Sequence, residues 1–452
     1  MFRSFRPGSA SVALVMGFAV AVGFQLFTGR DGSLWRVSAT AAPQQSAPVL
    51  LQSQNLVYQG AFRIPQGSPV DDPHSANWGG GCMTYNPGGN GGQGSLLVCG
   101  METTWLVGEI SIPTPVNSSN FGALPTASLV NNFVNVLGGH ATDIYPEGGT
   151  SVALGGLLLY NGKLIVTAYG TFDTFAWNHP TSHFIASADL THPAYIGGPY
   201  QLGTTANPGF VAGFMTPIPP DYQAALGGPY LAGQCCLNII GRTSSGPSAT
   251  VFNPDDIGRT NPAPAKRVLA YPTTHPTLGD WYGNPSPVGI TLYNGASRMA
   301  DGVFPEGSKS ELYFGRVGVG KFCYGQATSD PSLIGTNYEA GVPYCYDPTS
   351  GSKGSTAYPY KFMVAAYNAD DLVAVKNGTK QEWEIVPYST WELTFPIMFP
   401  AGASAHVNIG SVAYDPGNQR IFVAQKYTDG GGGTLINVFK VQGTAPSAGL
   451  CR

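Results

Sequence analysis

Seven histidines punctuate a 452-residue chain that carries few other ionisable groups. Four of them, His74, His140, His275 and His406, stand in turn-rich stretches far apart in sequence. Neutral imidazole is the commonest protein metal ligand, and several imidazoles with an open position suit Zn, Fe, Cu, Mn or Ni. A divalent transition metal held by these four is therefore one expectation. No tight HxxxH or HxxE spacing joins them, so only the fold can bring them together. Acidic, aromatic and basic residues lie nearby. Asp143, Glu147, Arg298 and Tyr427 form a candidate catalytic set, and Trp78, Asp173, Trp177, Trp281, Tyr282, Arg316 and Tyr346 a candidate substrate-binding set. Aromatic rings beside carboxylates and arginines suit a sugar cleft, where a few polar groups fix orientation against an otherwise apolar lining. Two carboxylates at suitable separation hydrolyse a glycosidic bond. Histidine, tyrosine and arginine around a metal could instead abstract a proton next to a uronate carboxylate.

The elements that must position these groups are short β-rich runs separated by turn signals from Asn55 onward, the pattern of an antiparallel β fold. Gly81–Tyr85, Ser95–Gly100, Leu106–Ile112 and Ala127–Phe133 make one set of four, and Leu157–Tyr160, Lys163–Tyr169, His183–Ala188 and Tyr200–Leu202 a second. Phe210–Met215, Leu237–Gly241, Ala249–Phe252 and Arg267–Tyr271 make a less regular third. Gly302–Phe304, Glu311–Gly315, Lys361–Tyr367 and Trp383–Pro387 make a fourth. The last set, Gly410–Tyr414, Arg420–Gln425 and Leu435–Val441, has three strands, and Leu56–Ile64 at the other end of the chain can complete it. The reading is an all-β fold, a β-propeller of four-stranded antiparallel blades closed by the N-terminal strand. The count is five blades, or six or seven if residues 203–234 and 255–298 hide further strands; a pair of β-sandwich domains is the competing architecture. The propeller domain spans 51–443, with an insertion at 316–360, a leader and linker over 1–50 and a tail over 444–452.

In a propeller, inter-blade loops and the loops joining second and third strands share one face. Six of the seven histidines fall there, including His179 and His183; His192 does not. One histidine from each of four blades resembles the axial metal sites of propellers such as the carotenoid-cleaving oxygenases, a resemblance of ligand pattern without a shared motif. Glycosidase and polysaccharide-lyase chemistries likewise fit a propeller by fold-level resemblance alone. Glu306 lies in a first-to-second-strand turn on the opposite face, like Asn86-Pro87-Gly88 and Asp415-Pro416-Gly417, and is left out of the site. The insertion, rich in tyrosine, overhangs the functional face and is the candidate recognition element.

Composition removes other classes. Charged residues are 11% of the chain, while 61 glycines and 37 prolines exceed a fifth of it without a collagen-like repeat. With 43% hydrophobic and 12% aromatic residues the chain has ample core material, which excludes disorder. A formal net charge of −4 gives no electrostatic footprint for nucleic acid. The glycine-rich stretches 88–94 and 430–433 lack the Lys-Ser/Thr of a phosphate cradle.

Arg3 and Arg6 precede an uncharged apolar run, Ala10–Phe27, the pattern of a signal peptide or a single membrane anchor. Either exports the rest of the chain to the periplasm, cell surface or medium, with membrane contact only through that segment if it is uncleaved. Export permits disulfides among the seven cysteines, with Cys82–Cys99 and Cys323–Cys345 as candidate pairs. Cys235 and Cys236 are either a vicinal disulfide or two thiols on opposite faces of a strand. The functional expectation is an exported polysaccharide-degrading enzyme, a glycoside hydrolase or lyase; the alternative is a non-catalytic propeller binding a glycan or an envelope protein.

Overall fold

The structure is a computed structural model that describes residues 47–66, 72, 75–146, 151–171, 179–204, 207–236, 239, 242–398, 408–428 and 433–444. The chain divides into two compact units, 1–45 and 46–452, and every described residue belongs to the second. The leader, His74, Glu147, Asp173, Trp177, His406 and Cys451 lie outside the described residues.

Five four-stranded antiparallel sheets follow one another along the chain. Blade 1 comprises Met83–Asn86, Ser95–Cys99, Leu106–Ser111 and Leu129–Asn135, and blade 2 Val152–Tyr160, Lys163–Gly170, His183–Ser187 and Tyr195–Tyr200. Blade 3 comprises Met215–Pro217, Tyr230–Ala232, Ala249–Phe252 and Ala265–Leu269, and blade 4 Arg298–Val303, Ser310–Gly318, Tyr360–Asn368 and Ser389–Glu392. Blade 5 is Asn408–Asp415, Arg420–Lys426 and Thr434–Val441, completed at its outer edge by Leu56–Arg63, which pairs with Thr434–Val441. The first strand of each blade contacts that of the next in a closed cycle of five.

Side-chain alternation explains the ring. Successive residues of a strand face opposite sides of the sheet. In Arg420–Lys426, Ile421 and Val423 pack toward blade 4 while Phe422 and Ala424 pack toward blade 1. In Lys163–Gly170, Leu164, Val166 and Ala168 face blade 1 and Ile165 faces blade 3. Each of the five gaps between blades thus holds its own buried apolar layer. Two separate sandwiches would not bury every sheet on both faces, and closing the ring through the N-terminal strand removes the open edges that invite aggregation.

Four strands sit elsewhere than expected; in blade 3 the innermost one is Met215–Pro217 rather than Phe210–Met215, where a 3-10 turn ends at Phe210. In blade 3 the helix Pro220–Leu226 follows the innermost strand, and the second strand is Tyr230–Ala232 rather than the run beginning at Leu237. In blade 4 the helix Ala369–Lys376, capped by the Asn368 side chain on the Asp370 N–H, delays the outer strand to Ser389–Glu392. In blade 2 the outer strand is Tyr195–Tyr200.

Between the second and third strands of blade 4 the insertion forms a small sheet of its own, with Cys323–Thr328 at its centre between Val342–Tyr346 and Lys353–Thr356 and Asn337–Glu339 at one edge. The Cys323–Cys345 disulfide ties it internally, and Cys82–Cys99 joins the first two strands of blade 1. Cys235 and Cys236 are reduced and buried, and they follow a strand rather than lying in one.

Candidate functional site

The upper face carries the starts of the innermost strands and the ends of the second strands. Parity places the charged groups there. Arg316 shares its side of the strand with Leu312 and Phe314, which pack toward blade 5, so its guanidinium enters the gap between blades 4 and 5. Lys426 shares its side with Phe422 and Ala424 and reaches blade 1, where its ammonium donates to the Glu102 carboxylate. Glu102 opens a short 3-10 turn after the second strand of blade 1. Its carboxylate lies over Gly81, where an added Cβ would fall 1.7 Å from Oε1, so glycine leaves the room it occupies.

Arg298 begins the innermost strand of blade 4 and lies within electrostatic reach of Glu102, Tyr169, Cys236 and Tyr427, which places it between these groups. Arg242, from the loop joining the second and third strands of blade 3, donates to the Gly170 carbonyl at 2.8 Å. Burial pushes the Cys235 thiol up, and Tyr169, packed against the cysteine pair, is raised for the same reason.

Two aromatic residues frame the blade 5 to blade 1 junction. The rings of Trp78 and Tyr427 lie 5.5 Å apart, and Lys426 sits 5.2 Å from the centre of the Tyr427 ring. Both Trp78 (φ 61°) and Tyr427 (φ 64°) have left-handed backbones, as does Trp105 on the same face. The other described non-glycine residues in this region, Asn90, Asn161 and Gln419, are in first-to-second-strand turns on the opposite face. Asparagine tolerates such turns readily, whereas bulky aromatics in them are strained, and strain of this kind clusters at functional sites.

A cleft of about 220 Å³ opens between blades 4 and 5 beneath the insertion, lined by Arg298, Arg316, Asn408, Tyr360, Asp347, Lys353 and a run of serine and threonine hydroxyls. The Arg316 guanidinium rests 4.1 Å from the centre of the Tyr360 ring. Antiparallel register explains the contact: Arg316 pairs with Phe362 and Gly318 with Tyr360, so Tyr360 is the diagonal neighbour of Arg316 on the same face. The Tyr360 hydroxyl donates to Asp347 at 2.7 Å. Edge-to-face contacts continue outward from Tyr360 to Tyr358 and from Tyr358 to Tyr346, which is exposed.

The structure therefore brings Trp78, Arg298, Tyr427, Arg316 and Tyr346 to one face around the channel mouth and cleft. It places the other described candidates elsewhere. Asp143 pairs with His140 at 2.9 Å, and His140 stacks on Tyr195 of the outermost strand of blade 2. Both therefore sit at the rim. His275 is buried with both ring nitrogens engaged, Nδ1 accepting from the Thr277 and Leu278 N–H groups and Nε2 facing the Trp383 carbonyl. Trp281 is a core residue, packed edge-on against Phe322 at 4.9 Å, and only its neighbour Tyr282 is exposed. The physical reason is common to these cases. An inter-blade loop starts at the rim and ends at the axis, so only its last residues reach the mouth, and His140 and His275 stand near its start. Among the described residues no group of three or more metal-ligating side chains occurs. His140 and His275, so placed, do not fit a shared axial metal.

Tyr360 belongs to the site although the candidate sets omitted it, and so do Glu102 and Lys426, which the sequence places at second-strand ends on this face. Side-chain parity along the second strands was the available signal for Lys426 and, through register, for Tyr360.

No family model matches the sequence, and no curated protein resembles it in sequence. Solved structures with a similar chain path include an exo-1,5-α-L-arabinanase from a bovine ruminal metagenomic library, at 11% identity and a TM-score of 0.37 over 87% of this chain and 94% of that one. The GH43 endo-arabinanase of Bacillus licheniformis gives 11% identity and a TM-score of 0.34 over 87% of this chain and 96% of its own. The arabinanase Arb43A of Bacillus subtilis gives 11% and 0.35 over 84% and 96%. Likeness at this level says nothing about activity.

Proposed function

We propose that this protein is an exported glycan-processing propeller that binds a polysaccharide across the blade 4 to blade 5 cleft and cleaves it at the channel mouth. The observation that carries the reading is the cleft itself: cations and hydroxyls on its walls, with a line of tyrosines leading out from Tyr360 through Tyr358 to the exposed Tyr346. Aromatic rings with a few placed polar groups are what recognition of a sugar chain requires. The two disulfides support export, since such bonds persist in oxidising compartments.

The chemistry assigned to the mouth is acid–base or nucleophilic cleavage of a glycosidic bond. Glu102, held by Lys426 and near Arg298, is the carboxylate positioned to accept a proton or attack the anomeric carbon. Asp347 is committed, because it already accepts from Tyr360 and from the Thr349 N–H and hydroxyl; it holds the cleft wall in place. Arg298 stabilises the negative charge that develops on the departing glycosidic oxygen, which takes its proton from water, while a second water completes the hydrolysis at the anomeric carbon.

Incubation of the purified protein with a polysaccharide panel, followed by product analysis, tests the reading. Release of new reducing ends or unsaturated ends that is lost in Glu102→Gln supports it. Binding without turnover would instead make this a glycan-binding propeller, and no binding to any glycan would remove the reading altogether.

A further inference from the structure

Arg316 is a buried cation without an ion-pair partner among the described residues. The residue is 7% exposed, its Nε has no hydrogen-bond partner, and no carboxylate lies within ion-pair distance among the described residues. Its strong contact among the described residues is the Tyr360 ring, which engages a face of the guanidinium and leaves its N–H donors free of that ring. Arg298 lines the same cleft and lies close enough for the two positive charges to repel. Asp347 attracts Arg316 without reaching it as an ion pair, and the charges there have other partners. Asp347 is taken up by Tyr360 and Thr349, and Lys353 is paired with Glu339 at 2.5 Å.

A buried guanidinium held against a second one is costly unless something with negative charge sits between them. The fold also fixes the pair rigidly: Arg298 and Arg316 face each other across the first and second strands of blade 4 in register. Two guanidinium forks opening into a hydroxyl-lined cleft match the geometry of a planar or tetrahedral oxyanion, which arginine binds bidentately.

We infer that Arg298 and Arg316 form an oxyanion subsite, and that the glycan taken by this cleft is acidic, carrying a uronate carboxylate or a sulfate ester at the sugar seated over Arg316. This rests on the glycan reading above and narrows it to a substrate class. Neutral polysaccharides would leave Arg316 unsatisfied, while an acidic sugar exchanges its hydration for charge-assisted hydrogen bonds to it and to Arg298. The adjoining serine and threonine hydroxyls read the ring hydroxyls of the same residue.

Calorimetric binding of matched oligosaccharides tests it with the wild-type chain alone: an oligouronide, its carboxyl-reduced neutral counterpart and a sulfated oligosaccharide of the same length. The expected result is an affinity for one acidic ligand at least about tenfold above that of the neutral one, weakening with added salt. Preference for the oligouronide identifies the carboxylate, and preference for the sulfated ligand the ester. Arg316→Met should bring the affinity for the acidic ligand down to that for the neutral one, and Arg316→Lys should retain part of the difference. If Arg316→Met does not fold, as judged by its circular dichroism and melting, Arg298→Met provides the second reading. Equal affinity for acidic and neutral ligands overturns the oxyanion subsite but leaves the glycan reading standing; absence of binding to all three overturns both.

Discussion

Lys426 of blade 5 donates a hydrogen bond to the Glu102 carboxylate of blade 1, and that carboxylate occupies the space where a side chain on Gly81 would be. The pair joins the last blade of the chain to the first at the point where the ring closes. Because the atom in the way is the end of a flexible side chain, Gly81→Ala should fold but turn Glu102 out of its position. It should therefore reduce turnover nearly as far as Glu102→Gln, by about a hundredfold or more for a lost acid–base group, with a melting temperature within a few degrees of wild type. A Gly81→Ala enzyme of full activity would show that Glu102 is not in the reaction.

Trp78 and Tyr427, ring against ring, hold strained backbones at the same junction. A left-handed conformation costs an L-residue roughly 1 kcal/mol that glycine does not incur. Substituting each position by alanine and by glycine separates strain from packing, since both variants lose the ring and only one keeps the strain. Each glycine variant should be about 1 kcal/mol more stable than its alanine partner in denaturant titration, and both should bind glycan more weakly than wild type. Equal stability of the two variants would mean that the backbone is not strained there.

The blades were legible because alternation and turn chemistry repeat: Asn161-Gly162 closes Val152–Tyr160 onto Lys163–Gly170, and Asp415 to Asn418 closes Asn408–Asp415 onto Arg420–Lys426. The third blade was less so. Its inner strands have three residues each and are separated by a helix that begins at a proline, so neither period nor length distinguished them from loops. Arg298, Tyr427 and Arg316 could be placed on the upper face because each sits at the start of an innermost strand or the end of a second one, and Trp78 because it lies in the loop leading into Met83–Asn86. His140, Asp143, His275 and Trp281 were misplaced because a loop's sequence position does not state how far along its path from rim to axis a residue lies. His275 shows the competing outcome, a histidine whose nitrogens are used to pin two backbone segments together.

The Cys323–Cys345 bond closes a 22-residue separation within the insertion. A loop of this size is worth about 3 kcal/mol in the chain-entropy account. Cys345→Ser should therefore loosen the insertion without unfolding the propeller, because among the described residues the strands of the insertion pair with one another and not with those of the blades. Hydrogen exchange should rise across residues 323–356 and stay low in blades 1, 2 and 5, and glycan affinity should fall because the walls of the cleft that include Asp347 and Lys353 move. Uniformly raised exchange throughout the chain would show that the insertion is part of the global fold instead.

Asp301, in the innermost strand of blade 4, accepts from the Val412 N–H of blade 5 and from Gly302 N–H, each at 2.7 Å, yet burial raises its carboxyl from 3.8 to about 7. Glu311 beside it is raised in the same way, by burial first and by Asp301 second. His183, buried between blades 2 and 3, is shifted in the other direction, from 6.5 to about 3. The signs oppose. Folding takes up a proton at Asp301 between about pH 4 and 7, so this group makes stability rise as pH falls through that window, and its burial cost is fully present only above about 7. Folding expels a proton from His183 between about pH 3 and 6.5, so that group makes stability fall as pH falls. Over their common range the two cancel. Asp301→Asn removes the contribution of Asp301 and leaves that of Glu311, and between pH 4 and 7 the difference in unfolding free energy between wild type and variant should change by about 1.4 kcal/mol per pH unit, with the variant losing ground in acid. Denaturant titrations of both proteins at pH 4.5, 5.5 and 6.5 measure this directly. Parallel stability curves for the two would mean that Asp301 is ionised in the folded protein throughout the range.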